Sequence, residues 1–199
     1  NERPRIGLAN ALVEQKRPDE AMVAAHGALV AAPSSLEAAL LLGDLYGKHG
    51  KHADAAQLFE FASRAHPRSF EIALRMGKSL AVLGRAAEAA TALRRAVEID
   101  PKDAFATRML ARSLETAGKP DEALKMYDAA LQKAPTDVDL KLRIGSTQVA
   151  AGAVKQAEPI LKDVVRERPN SAEANHFLGR AMLLSASNLN EAIRYLKRA

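Results

Sequence analysis

The sequence predicts an all-α solenoid of antiparallel helix pairs, because a fixed period, a helix-forming composition and regularly placed turn residues agree. Prolines recur every 34 residues, at Pro33, Pro67, Pro101, Pro135 and Pro169. Glycines keep the same interval, at Gly50, Gly84, Gly118 and Gly152. Alanine is the commonest residue and aromatic residues make up only 4%, which favours helix over strand. Such a period indicates stacked units that each bury one face on a neighbour.

Each unit, numbered so that the proline is its residue 32, is predicted to contain two helices. The expected units form one array over residues 1–199: 2–35, 36–69, 70–103, 104–137, 138–171 and an incomplete 172–199. Unit positions 4, 7, 8 and 11 carry small or apolar residues at the spacing of one helical face. Positions 20, 24 and 27 form a second stripe of this kind. The two stripes predict that the helices of a unit pack against each other.

Helix ends are predicted by the residues between the stripes. Glycine at position 15 ends the first helix, because it tolerates a positive φ. Serine or aspartate at position 34 caps the next first helix, at Ser35, Ser69, Asp103, Asp137 and Ser171. Two departures carry expectations: Pro159 should trim or tilt the start of its helix, and one extra residue before Asn190 should lengthen the last turn.

The repeated unit, with Leu-Gly in the first helix, then the turn glycine, alanine, an aromatic and proline, resembles the tetratricopeptide repeat. The resemblance covers five complete units and most of a sixth. It implies a right-handed superhelix whose concave wall is lined by the first helices at positions 2, 5, 9, 12 and 13. The chain begins at Asn1 and stops inside the last helix, so we expect a fragment of a longer protein. Its alanine- and arginine-rich composition is typical of a bacterial source.

Mapping those positions onto the sequence predicts a groove with an apolar floor and a basic track. The candidate partner-binding residues are Leu40, Asp44, Leu74, Lys78, Phe105, Arg108, Arg112, Leu142, His176 and Arg180. Such a groove suits an acidic or amphipathic peptide segment of a partner protein. The alternative is that the leucines seal each first helix against the next unit and that the basic residues form a solvated face.

Several classes of chemistry are excluded or disfavoured by the sequence. The absence of cysteine excludes disulfides, thiol nucleophiles and thiolate metal sites. No apolar run approaches the roughly 18 residues of a membrane-spanning helix, so we expect no direct membrane insertion. A phosphate-loop-like stretch at 43–49 lacks one spacer and the required hydroxyl residue, and His49 and His52 lack a third ligand. We therefore expect no enzyme activity, no cofactor and no metal site.

The favoured hypothesis is a non-catalytic protein–protein interaction scaffold, in a bacterial envelope, secretion or assembly system. One alternative is a recruitment or assembly domain of a larger enzyme or exporter. Nucleic-acid binding is permitted by a net charge of +5 and a pI of 9.6. It is disfavoured because acids alternate with bases and stacking aromatics are scarce. Self-association through an uncapped end of the array is a further alternative, and the sequence leaves bacterial cytoplasm and periplasm equally open.

Overall fold

Helix boundaries in the structure repeat with the period of the sequence. The computed structural model describes residues 1–199 as twelve α-helices without any strand. The first helices of the pairs are α1 (Arg3–Glu14), α3 (Leu36–Lys48), α5 (Phe70–Val82), α7 (Ala104–Thr116), α9 (Val138–Ala150) and α11 (Ala172–Ser185). The second helices are α2 (Pro18–Ala31), α4 (His52–Ala65), α6 (Ala86–Ile99), α8 (Pro120–Lys133), α10 (Val154–Glu167) and α12 (Leu189–Leu196). The predicted all-α array of about six helix pairs is confirmed.

Side-chain caps begin the first helices where the sequence predicts them. The Ser35 hydroxyl accepts a hydrogen bond from the Ala38 amide at 3.3 Å, and the Asp103 carboxylate accepts one from the Ala106 amide at 2.6 Å. All five expected caps form such a bond: Ser35, Ser69, Asp103, Asp137 and Ser171. Each bond satisfies an amide that has no partner within its helix, so the start of each of these helices is fixed locally.

The turn between the helices of a pair uses a left-handed residue at position 15. The four glycines there have φ between 73° and 79°. Lys16 and Ala186 adopt the same conformation in the first and last units, with φ of 58° and 51°. A residue with a Cβ pays about 1–2 kcal/mol in this region. Packing of the two helices therefore holds the turn even where glycine is missing.

Close packing within a pair depends on the residues at positions 8 and 24. A Cβ atom added to Gly77 would lie 2.5 Å from the Leu93 Cγ atom, and Leu93 is fully buried. In the fourth unit, Ala111 and Tyr127 occupy the same two positions and both are fully buried. Tyr127, at position 24 of the fourth unit, therefore packs in the core, as the second stripe of the sequence predicts.

Pro159 does not trim the start of α10, so the expectation of a trimmed start is wrong, whereas a tilt of that start stays a prediction. The helix begins at Val154, 34 residues after the start of α8 at Pro120, and both helices are 14 residues long. Proline lacks the amide proton that would bond one turn back, and its ring crowds the carbonyl four residues earlier. The helix nevertheless continues without interruption to Glu167.

The extra residue of the sixth unit lies between the end of α11 and the start of α12, so the predicted longer turn is confirmed. The end of α11 keeps the repeat register, because the amides of Ala186 and Ser187 donate to Leu183 and Met182 as those of Gly152 and Ala153 donate to Val149 and Gln148. One residue, Ala153, separates the left-handed residue from α10, whereas Ser187 and Asn188 separate it from α12. As a result Leu196, and not Tyr195, packs against Gly179.

Contacts divide the chain into two compact units, Asn1–Met109 and Leu110–Ala199. In the first unit, α5, α6 and the start of α7 share a core that includes Ala73, Ala96 and Ala106. The second unit has a core over α9 to α12 that includes Leu161 and Leu178. None of the helices combines the length and the apolar character needed to span a membrane.

Candidate functional site

A depression of about 490 Å³ lies between α3 and α5 in the first unit, and we call it the α3–α5 groove. It brings together three of the predicted residues, Asp44, Leu74 and Lys78. Gly47 also lines it, and a Cβ atom at this position would meet nothing within 4 Å. The absence of a side chain on this turn of α3 keeps the groove open.

An exposed aromatic ring flanked by two cations stands at the start of α7. Phe105 is 41% exposed. The Lys78 Nζ atom lies 5.8 Å from the centroid of its ring, and the Arg108 Cζ atom lies 5.9 Å from it. These distances are within the range of a cation–π interaction. The arrangement offers an apolar surface with positive charge on α5 and α7 beside it.

The charge of Asp44 is balanced within the groove. Its carboxylate accepts a hydrogen bond from the Arg75 Nε atom at 2.7 Å, and the two side chains are 43% and 30% exposed. Partly exposed pairs of this kind contribute at most about 1 kcal/mol to stability. Lys48 and Lys78, which also line the groove, form no ion pair, so the groove keeps a net positive charge.

Leu40 and Leu74 fit both interpretations that the sequence left open, which are contact with a ligand and packing against the next repeat. Both side chains are half-buried. Leu40 packs against the core cluster around Phe59 and Ile72, and Leu74 packs against the cluster of Ala73, Ala96 and Ala106. Each leucine therefore packs part of its side chain against the core and leaves the rest accessible to a ligand.

The remaining predicted residues lie in the second compact unit, residues 110–199, and the assignment of one of them to the binding site is corrected. Arg112 on α7 and His176 and Arg180 on α11 are exposed. Leu142 is only 7% exposed and belongs to the core cluster over α9 to α12. It is therefore a packing residue, as the alternative interpretation held, and it is removed from the candidate site.

Two cations of the α3–α5 groove, Lys48 and Arg75, were missed by the sequence prediction. Lys48 lies at wall position 13 and was passed over, whereas Arg75 lies at position 6, which is not among the wall positions that the resemblance implies. Position 6 is three residues before position 9 and therefore lies on the same helical face. A search for basic residues within one turn of Lys78 would have found Arg75.

Glu115, at another wall position, joins three helices of the second unit. Its carboxylate accepts hydrogen bonds from the Tyr127 hydroxyl at 2.8 Å and from the Thr147 hydroxyl at 3.1 Å. Burial, followed by this bond to Glu115, raises the pKa of Tyr127 above its ordinary value. Because both donors are buried, Glu115 acts mainly as a structural acceptor.

The stretch at 43–49 that resembles a phosphate loop lies on α3 and its C-terminal cap. Its backbone amides are engaged within the helix, whereas a phosphate loop needs them turned toward the ligand. His49 caps the end of α3 and His52 begins α4. Neither pattern adds a site.

Comparison with protein families and solved structures agrees with the helical-repeat fold. Two family models described as tetratricopeptide repeat match residues 40–104 and 114–182, which together are well over half of the chain. No curated protein sequence matches.

Among solved structures, YrrB, described as a TPR protein with an unusual peptide-binding site, is 26% identical, with a TM-score of 0.80 over 88% of this chain and 91% of that chain. MamA is 20% identical, with a TM-score of 0.74 over 80% of this chain and 87% of that chain. MamA from Desulfovibrio magneticus RS-1 is 18% identical, with a TM-score of 0.75 over 85% of this chain and 97% of that chain. The two MamA structures support the fold alone.

Proposed function

The chain belongs to the tetratricopeptide repeat family, whose members mediate protein–protein interactions, and on this premise we propose that it is a non-catalytic scaffold. In this proposal an acidic or amphipathic peptide segment of a partner protein binds across the α3–α5 groove and the Phe105 ring on α7, which Lys78 of the groove contacts. Leu40, Leu74 and Phe105 supply the apolar contacts, and Lys78 and Arg108 meet carboxylates of the peptide.

The observation that carries the proposal is the exposed Phe105 ring with two cations beside it. An aromatic ring exposed to this extent can bury a large apolar side chain, a gain of about 1.5–3 kcal/mol. Arginine can bind a carboxylate through two parallel hydrogen bonds, and lysine adds a point charge. A peptide with an apolar residue next to an acidic one would satisfy both requirements.

The likeness to YrrB supports the class of ligand, since that protein is described as having a peptide-binding site. Arg112, His176 and Arg180 occupy wall positions of the fourth and sixth repeats. We propose them as partner-binding residues of the second compact unit, taken by itself.

The test is selection of peptides from a random display library on the purified protein. Enriched sequences are expected to carry aspartate or glutamate next to leucine, phenylalanine or methionine. Their affinity should fall about tenfold or more in the double variant Lys78→Glu, Arg108→Glu. A tenfold fall corresponds to about 1.4 kcal/mol of binding free energy. It should also weaken as salt rises from low to physiological concentration, because exposed charges are screened over roughly 8–10 Å.

The matched control is the double variant Arg68→Glu, Lys102→Glu. It makes the same change of charge at two exposed residues in the loops before α5 and α7. Binding should be largely retained there. Enrichment of the same peptides by the groove variant and the wild type would overturn the assignment of the ligand to this groove.

A further inference from the structure

A second depression of about 390 Å³ lies between α4 and α6 of the first unit, and we call it the α4–α6 furrow. Its floor is apolar and includes Ala56, Ile72, Met76, Leu80 and Ala92. Ile72 and Leu80 are only 1% and 2% exposed. It shares no lining residue with the α3–α5 groove, so the two depressions are separate sites.

The furrow exists because two alanines face each other where larger residues fill the space elsewhere. Ala56 and Ala92 belong to one core cluster. Ala56 is position 21 of the second repeat, and Ala92 is position 23 of the third repeat. Between α2 and α4, one repeat earlier, the same two positions hold Met22 and Leu58, which also share a cluster. The difference in side-chain volume leaves space of about one large apolar side chain.

Charged side chains on the rim of the furrow leave one cation unpaired. The Arg85 guanidinium bonds to both carboxylate oxygens of Glu88, at 2.7 and 2.6 Å. Arg64 lies 3.5 Å from Glu60. Arg95 lines the same rim, is exposed and forms no ion pair. The rim therefore has a net positive charge next to an apolar floor.

We propose that the α4–α6 furrow is a second docking site, which takes one bulky apolar side chain of a partner protein whose neighbouring carboxylate pairs with Arg95. The volume is within the range of small-ligand pockets, and burying a leucine- or phenylalanine-sized group on the floor is favourable. The unpaired guanidinium supplies the charge complementarity that selects an acidic neighbour. The site shares no residue with the α3–α5 groove, so binding at one does not require the other.

The experiment uses methionine-methyl NMR of the full chain and three synthetic peptides. The sequence contains five methionines, and Met76 is the one that lines the furrow. The first peptide has one phenylalanine flanked by two glutamates on each side. The second replaces the phenylalanine by alanine, and the third replaces the glutamates by lysines.

Only the first peptide is expected to shift the Met76 methyl signal and to saturate. Ala92→Leu, which fills the furrow, should weaken its binding roughly 10- to 100-fold. Arg95→Glu, an exposed change that leaves the floor intact, should weaken it about tenfold. The groove variant Lys78→Glu, Arg108→Glu should leave the Met76 response unchanged, which separates this test from that of the proposed function.

The proposal is overturned if Met76 does not respond to the first peptide or responds equally to the lysine peptide. It is also overturned if Arg95→Glu binds as the wild type does. Thermal melting of each variant shows that it is folded. If Ala92→Leu does not fold, the Arg95→Glu titration alone decides between the outcomes.

Discussion

Helix packing in the first compact unit rests largely on small residues, whereas the second unit buries more polar side chains. In the first unit Ser79 and Thr107 are the buried polar residues. The second unit buries four: Ser113, Ser146, Thr147 and Asn175. One repeat period therefore supports two ways of filling the interior. Alanine and glycine leave depressions open to ligands, and hydrogen-bonded side chains make stability depend on particular partners.

The largest effect is expected from removing the large side chain that packs on the position-8 glycine. Leu93 in the first unit and Leu161 in the second are both fully buried, against Gly77 and Gly145. Leu93→Ala and Leu161→Ala should each lower the free energy of unfolding by about 2–5 kcal/mol, because each loses the burial of apolar side-chain atoms and leaves a cavity. Chemical denaturation followed by circular dichroism measures the loss.

The same pair of variants tests whether the two units unfold separately. If they do, each variant should move only one phase of the denaturation curve. A single shifted transition in both variants would mean that the two units unfold together as one cooperative array. A cost below about 1 kcal/mol in either variant would contradict the assigned packing register.

A smaller effect is expected from the hydrogen bonds of the second unit. Tyr127→Phe removes the hydroxyl that donates to Glu115 and keeps the ring that packs in the core. The expected cost is about 1–2 kcal/mol, because the bond has a charged acceptor and its donor is buried. Tyr195→Phe is the matched control, since its hydroxyl reaches Glu191 only at 3.4 Å from a partly exposed ring. Equal losses of unfolding free energy in the two variants would contradict a special role for Glu115.

Periodicity predicted the fold because each signal acts locally. Capping by Ser35 and Asp103 depends on residues three apart in sequence, and a turn glycine acts on its own helix end. The extra residue of the sixth unit lengthens the turn as predicted, but the resulting shift of α12 by one position against α11 could not be read from the sequence. Leu196 takes the place expected of Tyr195, and only the packed structure decides between those outcomes.

The candidate site was less predictable, because exposure depends on what neighbouring helices place opposite each residue. Leu142 shares its register position with Leu40 and Leu74, yet only Leu142 is largely buried. The α4–α6 furrow has no motif of its own. It follows from two alanines in different units, Ala56 and Ala92, and becomes visible only when their helices are packed together.

The smallest effect is expected at Glu158, which links α10 to the turn before α12 in the second unit. Its carboxylate accepts hydrogen bonds from Lys162 at 2.7 Å and from the Ser187 hydroxyl at 3.0 Å. The bond from Lys162, followed by those from the serines, lowers the pKa of Glu158 from its ordinary value of 4.5. Glu158→Gln should therefore cost roughly 1 kcal/mol near neutral pH, measured as the difference in free energy of unfolding from the wild type.

The pH dependence of that cost distinguishes a charge effect from a loss of packing at Glu158. The unfolded chain binds the proton more readily than the folded one, so the ionised carboxylate stabilises the fold above pH 4.5. This contribution disappears as pH falls through the lowered pKa of the folded state. The difference between wild type and Glu158→Gln should shrink over the same range, whereas a constant difference from pH 7 to pH 3 would indicate that packing, and not charge, is lost. Glu60→Gln is the control, because its contact with Arg64 is longer and more exposed, and it should change stability little at any pH.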